Sequence, residues 1–282
     1  MFFKFCKKHN LKFLPASDNT LLLFITHLSN RNLAISTIKV YISSIVTLHN
    51  LNGLVPPNPK NAQIRLALRA IANKSPEPEQ KSPITFKLLQ CIWQVITQLP
   101  DYRCIQAAIT LGFFGGLRGA EYLKTRFSPG PKFQQISFIQ GKKELMNYQV
   151  KKSKTKPKGF MVPLACSRHI ICPVCSMSNY LAKRQKTQQL TPDSPLLSYL
   201  GYELTKAKFN AILKDLVKAL GLTPANYSTH SLRAGVATTA AASNFKEWEL
   251  KLLGGWATNT CNTYIRPTAQ HRRNFATRLA RK

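Results

Sequence analysis

The chain has 282 residues, 44% of them hydrophobic, and is long enough to bury one large core or two ordinary ones without metal or disulfide staples. Its 41 Lys and Arg residues against 11 Asp and Glu residues give a formal net charge of +30, which favours a polyanionic partner, nucleic acid foremost, over an acidic protein substrate. No apolar run approaches the roughly 20 residues that a bilayer crossing needs, and the odd number of scattered cysteines, 7, predicts reduced thiols in an intracellular compartment.

Apolar residues recur at helical spacing in three segments of the first 74 residues. The three sets are Leu21, Phe24, Ile25 and Leu28; Ile38, Tyr41, Ile42, Ile45 and Leu48; and Ile64, Ala67, Leu68 and Ile71. Asp18 or Asn19 can cap the first helix, and the second follows Ser36 and ends near Gly53. Arg65 and Arg69 share one face of the third helix at i, i+4. The pattern predicts a compact helical bundle.

The amino-acid composition changes at Asn73. The segment NKSPEPEQKSP that begins there contains three prolines and no large apolar residue. This composition is typical of a linker. We therefore predict a first domain over residues 1–74, a linker over 75–83 and a second domain over 84–282.

The second domain is predicted to mix helices with a small antiparallel sheet. Predicted helices are Thr85–Gln98, Arg103–Leu111, Ser176–Lys186, Lys206–Leu220, His230–Ala242 and Glu247–Leu253. Predicted strands are Phe133–Ile139, Glu144–Val150 and Phe160–Leu164, the last following the Lys-rich turn KKSKTKPKG. The fold class is thus mostly α (α+β).

Three short segments carry residues suited to handling a phosphate. His230 and Arg233 open a predicted helix at i, i+3, beside free N–H groups that favour an anion. Arg118 follows a glycine-rich turn with Glu121 placed to hold it, and Trp256 and Tyr264 lie eight positions apart near the chain end. Taken singly, such residues more often solvate a helix start or pack in a core.

Their order along the chain resembles the active site of the tyrosine recombinase (phage integrase) family. The phrases GFFGGLRGAEYL, HSLRAGVATTAA and LLGGWATNTCNTYIRP look like the recombinases of eukaryotic mobile elements, the DIRS-like and Ngaro-like retrotransposons and Cryptons. STIKVYISSIVTLHNLNGLVPPNP looks like the core-binding domain of the same group. The resemblance covers essentially the whole chain, and it implies a helical core-binding domain followed by a mixed α/β catalytic domain.

The resemblance also implies a role for each matching residue. Tyr264 would be the nucleophile that forms a 3′-phosphotyrosyl link to DNA, and Arg118 and Arg233 would hold the non-bridging phosphate oxygens. The remaining catalytic matches are His230, Trp256 and Lys154, the last as the general acid for the leaving 5′-oxygen. Lys151, Lys152, Lys156 and Lys158 are close rivals of Lys154, and we take Arg65, Arg69, Lys151, Lys152 and Lys156 as DNA contacts.

We expect no cofactor and no metal. The sequence lacks a Walker GxxxxGK[ST] motif, and its acids are too few and scattered for a two-metal carboxylate cluster. Cys166, His169, Cys172 and Cys175 are potential zinc ligands, but zinc sites usually use pairs separated by a longer loop. The resemblance implies that Cys172-Pro173 is the entry to a helix, and Cys175 is then interpreted as a core or surface thiol.

The resemblance implies double-stranded DNA as partner, a clamp around the duplex, a homo-oligomer that is a tetramer on DNA, and a nuclear location. The predicted function is site-specific recombination or integration by a protein of mobile-element origin. The alternative is a domesticated relative that binds DNA without cutting it.

Overall fold

The computed structural model describes residues 1–74, 80–139 and 144–256. The chain divides after residue 79 into two compact units. The first unit contains α1 (Phe2–Lys8), α2 (Asp18–Asn30), α3 (Ile35–Leu51) and α4 (Ala62–Lys74). All four helices contribute to one apolar core, whose buried members are Phe2, Phe5, Cys6, Ala16, Leu21, Phe24, Ile25, Leu28, Ile38, Ile42, Ile45 and Ile64.

The structure adds α1, which the apolar spacing did not predict, and α3 begins at Ile35 rather than after Ser36. Two further local details differ from the sequence prediction. The cap of α2 is Ser17, whose Oγ accepts a hydrogen bond from the Thr20 N–H, while Asp18 accepts from the backbone N–H of Asn58. On α3, Leu48 is 40% exposed and the neighbouring His49 is fully buried instead. Burial of His49 is tolerated because its Nε2 accepts from the Ala16 N–H at 2.8 Å and its Nδ1 lies 2.8 Å from the Ile45 carbonyl oxygen.

The second unit is built from seven helices and five short strands among its described residues. The helices are α5 (Phe86–Val95), α6 (Tyr102–Phe114), α7 (Gly119–Tyr122), α8 (Pro173–Gln185), α9 (Lys206–Ala219), α10 (Thr229–Ala242) and α11 (Glu247–Gly254). The strands are β1 (Ile136–Phe138), β2 (Leu145–Val150), β3 (Phe160–Ala165), β4 (Ser198–Tyr199) and β5 (Tyr202–Glu203). Helix α6 lies at the centre, packed against α8 and α10.

Strands β1, β2 and β3 form an antiparallel sheet in chain order. Val150 pairs with Phe160, so residues 151–159 form the turn between β2 and β3. The predicted mostly helical architecture with a small antiparallel sheet is confirmed. Phe133–Gln135, predicted as strand, form a 3-10 turn, and α8 begins at Pro173 rather than at Ser176. The β4–β5 hairpin was not predicted, because each strand has only two residues.

Residues 81–84 are attached to the second unit, although the sequence assigned 81–83 to the linker. Lys81 Nζ donates to the Ala225 carbonyl at 2.7 Å, and the Ser82 and Ile84 N–H groups donate to the carbonyls of Asn226 and Ser231. Gly235 permits this approach, because a Cβ there would collide with the Ile84 carbonyl.

Within the described part of the chain, none of the helices combines the length and the apolar character that crossing a membrane requires.

Candidate active site

Arg118 is held by a buried carboxylate at the start of α7. Its backbone N–H donates to Glu121 Oε2 at 2.7 Å, and its Nη1 donates to Glu121 Oε1 at 2.9 Å. The side chain of Glu121 is 3% exposed, whereas that of Arg118 is 28% exposed. The carboxylate therefore fixes the guanidinium group while leaving part of it accessible to an anion.

The turn before Arg118 also holds the second arginine. Arg233, on α10, is buried, and its Nη1 donates to the carbonyl oxygen of Gly116. Gly116 has φ of +56°, and a Cβ there would lie 2.9 Å from the Cα of Gly254 at the end of α11. One short turn thus contacts α10 and α11 and carries Arg118, so it sets the positions of both arginines.

Trp256 packs against Arg233. The Arg233 Cζ lies 4.4 Å from the centroid of the indole ring, a distance at which a guanidinium is attracted to an aromatic face. The Trp256 backbone N–H donates to the carbonyl of Lys251 at 2.9 Å, and the side chain is buried. Gly254 leaves room for the ring, because a Cβ there would collide with it.

His230 lies one helical turn before Arg233, so the two side chains share a face of α10. Ser228 caps this helix: its Oγ accepts from the His230 N–H at 3.2 Å, and its own N–H donates to Ser231 Oγ at 3.0 Å. His230 is exposed while Arg233 is buried, so the histidine borders solvent at the rim of the arginine site.

The turn that carries Lys154 is docked beside Arg118 by Ser153. Ser153 Oγ donates to Glu121 Oε1 at 2.7 Å and accepts from Arg118 Nη1 at 3.4 Å. Ser153 is buried, whereas Lys154 is exposed. Sequence reasoning missed Ser153; the available signal was a short neutral polar residue in an otherwise Lys-rich turn, KKSKTKPKG.

Lys156, assigned from the sequence as a DNA contact, shares a cavity with Trp256. The two residues line one cavity of about 330 Å³ together with Gly255. Lys156 Nζ also lies 4.7 Å from the centroid of the Phe160 ring. Lys151 and Lys152 are exposed at the start of the same turn. Arg65 and Arg69, on α4 of the first unit, are exposed as well.

Two tyrosines near Glu121 are poor nucleophiles. Tyr148 donates its hydroxyl hydrogen to the Glu121 carbonyl oxygen at 2.7 Å, and Tyr122 is fully buried beside Gly112. Burial raises the pKa of both hydroxyls above the usual range of tyrosine. A tyrosine oxygen must lose its proton to act as a nucleophile, so the raised pKa disfavours this role for both residues. Tyr264, the nucleophile implied by the resemblance, lies outside the described residues.

Comparison with known proteins finds a relative by sequence and several similar structures. An integrase/recombinase XerD homolog of Selenomonas ruminantium is 27% identical over 248 residues, which cover 85% of this chain and 70% of that protein. No protein-family model matches the sequence.

Among the solved structures that resemble this chain, several cover nearly all of it. The XerH site-specific recombinase bound to a palindromic difH substrate, in a post-cleavage complex, has a TM-score of 0.62 at 16% identity and covers 93% of this chain and 69% of its own. The Tn1549 transposon integrase in complex with transposon right end DNA has a TM-score of 0.63 at 14% identity, covering 94% of this chain and 86% of its own. At these identities the likeness shows a shared fold.

Proposed function

We propose that this chain is a DNA strand transferase of the tyrosine recombinase/integrase kind, and its fold and its similarity to the XerD homolog support this proposal. Its substrate is double-stranded DNA. The Tyr264 oxygen attacks a phosphodiester phosphorus, a 3′-phosphotyrosyl bond forms, and the bond to the 5′-oxygen breaks. Attack by a 5′-hydroxyl on this link rejoins a strand and releases the tyrosine.

The observation that carries this proposal is the joint anchoring of Arg118 and Arg233 by one turn. Phosphoryl transfer depends on positioning and on charge stabilisation. A planar guanidinium group matches two phosphate oxygens at once, and both arginines have neighbours that restrict their movement. The pair therefore supplies two fixed positive charges for the non-bridging oxygens.

His230 and Trp256 complete the phosphate site in this proposal. His230, exposed one turn from Arg233, hydrogen-bonds the phosphate and accepts the tyrosine proton. Trp256 donates its indole N–H and holds the plane of the Arg233 guanidinium by ring contact. A loss of Trp256 thus acts on the phosphate directly and through Arg233.

Lys154 is the proposed general acid for the leaving 5′-oxygen, and Lys156 is its rival because it lines a cavity with Trp256. A DNA substrate with sulfur in place of the bridging 5′-oxygen distinguishes the two lysines. Its leaving group is a thiolate, whose thiol has a pKa of about 8.5, so it departs without a general acid. Lys154→Ala should cleave this substrate at nearly the wild-type rate and ordinary DNA slowly. The same rescue in Lys156→Ala, with none in Lys154→Ala, would transfer the role to Lys156.

A covalent-adduct assay tests the function itself. The full chain is incubated, without ATP, with nicked suicide duplexes whose sequence is randomised around the nick, and adducts are resolved by denaturing electrophoresis and peptide mapping. We expect an adduct on Tyr264 that Tyr264→Phe abolishes and Tyr202→Phe, an exposed tyrosine of β5, does not. An adduct that persists in Tyr264→Phe would place the nucleophile elsewhere.

The proposal further includes a mobile-element origin, a nuclear location and action as a tetramer on DNA. These parts are supported by the resemblance of the segments around Arg118, Arg233 and Trp256 to recombinases of eukaryotic mobile elements. The alternative function is binding without cutting, and it predicts salt-sensitive duplex affinity with no adduct on any member of the pool. Mass measurement of the complex on a duplex tests the tetramer, with a single bound copy as the contrary result.

A further inference from the structure

Three cysteines of the second unit come together where the sheet meets α8. Cys166 follows β3, Cys172 precedes α8, and Cys175 lies in the first turn of that helix. The Sγ atom of Cys166 lies 3.5 Å from that of Cys172 and 3.9 Å from that of Cys175. All three sulfur atoms lie within 4.8 Å of one another.

These separations match those of sulfur ligands around one ion. A Zn–S bond is about 2.3 Å, so two sulfur ligands in tetrahedral positions are roughly 3.8 Å apart. Each thiol is free, and a disulfide bond would require the sulfur atoms to approach to about 2.05 Å.

The connecting loop holds this arrangement with its own hydrogen bonds. Ser167 Oγ donates to the Ile171 carbonyl at 2.9 Å, and the Ile171 N–H donates to His169 Nδ1 at 3.0 Å. Arg168 adopts a φ of +52°, which turns the chain back on itself. The tight spacing that disfavoured a zinc site in the sequence is thus accommodated by this turn.

His169, the fourth potential ligand in the sequence, is used differently. Its Nδ1 accepts from the Ile171 N–H, and its ring packs edge-on against Phe86 with centroids 5.2 Å apart. Thus the three sulfur atoms converge without the histidine. Cys172 is buried and Cys175 exposed, so one side of the cluster faces solvent, where a water molecule can supply a fourth ligand.

We propose that Cys166, Cys172 and Cys175 bind one Zn²⁺ ion as thiolates. Soft thiolate ligands select zinc over the hard cations Mg²⁺ and Ca²⁺. Three thiolates and one Zn²⁺ carry a net charge of −1, which the +30 chain favours electrostatically. The ion joins the end of β3 to the start of α8. It thereby fixes the edge strand β3, which begins directly after the turn at 151–159.

Metal titration of the reduced full-length chain tests this site. Zn²⁺ is titrated in competition with a chromophoric chelator, and Co²⁺ is the spectroscopic probe, because thiolate ligands give it charge-transfer bands. Each of Cys166→Ser, Cys172→Ser and Cys175→Ser is compared with Cys91→Ser, which removes a partly exposed thiol of α5 outside the cluster.

We expect one ion per chain, thiolate-to-cobalt bands, and at least about tenfold weaker binding in each of the three cluster variants but not in Cys91→Ser. Three results would overturn the proposal: no ion bound by the reduced chain, binding unchanged in any of the three cluster variants, or isolation of the chain with two of these cysteines joined as a disulfide and no metal. None of these results bears on the Tyr264 adduct, which is measured separately.

Discussion

Ser153 Oγ donates a 2.7 Å hydrogen bond to Glu121 Oε1, the oxygen that also accepts from Arg118 Nη1. Ser153 lies in the β2–β3 turn and Glu121 in α7, 32 positions apart in sequence. One buried carboxylate therefore sets the positions of an arginine and of the turn that carries Lys154.

Removing the Ser153 hydroxyl should weaken this connection. A hydrogen bond to a charged group contributes about 1.5–3 kcal/mol, so Ser153→Ala should lower the free energy of unfolding by a similar amount. We expect adduct formation about tenfold slower, which corresponds to about 1.4 kcal/mol of barrier, with duplex affinity retained. Thr155→Ala, at an exposed position in the same turn, is the control, and an equal loss there would reduce Ser153 to a general contributor to turn stability.

Gly116→Ala should destabilise the second unit through strain and through collision. The residue has φ of +56°, which costs a non-glycine residue about 1–2 kcal/mol, and its Cβ would meet the backbone of α11 at 2.9 Å. Gly201→Ala is the matched control, because Gly201 has φ of +85° and open space around the Cβ position. Urea unfolding should give a loss at least about 2 kcal/mol greater for Gly116→Ala. Equal losses would mean that α11 moves aside at little cost.

Arg233→Lys should separate catalysis from binding. Lysine keeps a positive charge but loses the planar group that donates to the Gly116 carbonyl and lies over Trp256. We expect adduct formation to fall at least about 100-fold, as for loss of a preorganised transition-state donor, while duplex affinity by fluorescence anisotropy stays near wild type. The control is Arg69→Lys at an exposed position of α4. If duplex affinity and adduct formation fell by the same factor in Arg233→Lys, Arg233 would be an ordinary contact to the DNA phosphate backbone.

The salt dependence of duplex binding should report on Arg65 and Arg69. Affinity should fall steeply with salt, with a log–log slope of about −0.9 per neutralised phosphate. Arg65→Ala and Arg69→Ala should each reduce the magnitude of that slope by about 0.9 if each contacts one phosphate. Gln63→Ala, at an exposed neutral position on the same helix, should leave it unchanged. An unaltered slope in both arginine variants would remove α4 from the DNA-binding surface.

Much of the fold followed from local sequence patterns. Helical periodicity located α2, α3 and α4, and the Lys-rich turn between two short β-rich segments located the β2–β3 hairpin. These patterns depend only on which face of an element is apolar, so a single sequence reveals them. The pairing of Arg118 with Glu121 was equally local, because a residue three positions on reaches back to the start of its own helix.

Other features were decided by contacts between segments that are distant in sequence. Burial of His49 in place of Leu48 depends on the Ala16 N–H, and burial of Ser153 depends on Glu121. A polar side chain is buried at low cost only where a partner meets it, and periodicity does not reveal that partner. The sequence by itself thus predicted most of the helices and the β2–β3 hairpin, and its resemblance to a known family supplied the candidate catalytic residues. Only the tertiary structure decided which polar side chains are buried to hold them, and that the three thiols converge, because both depend on how separate segments pack.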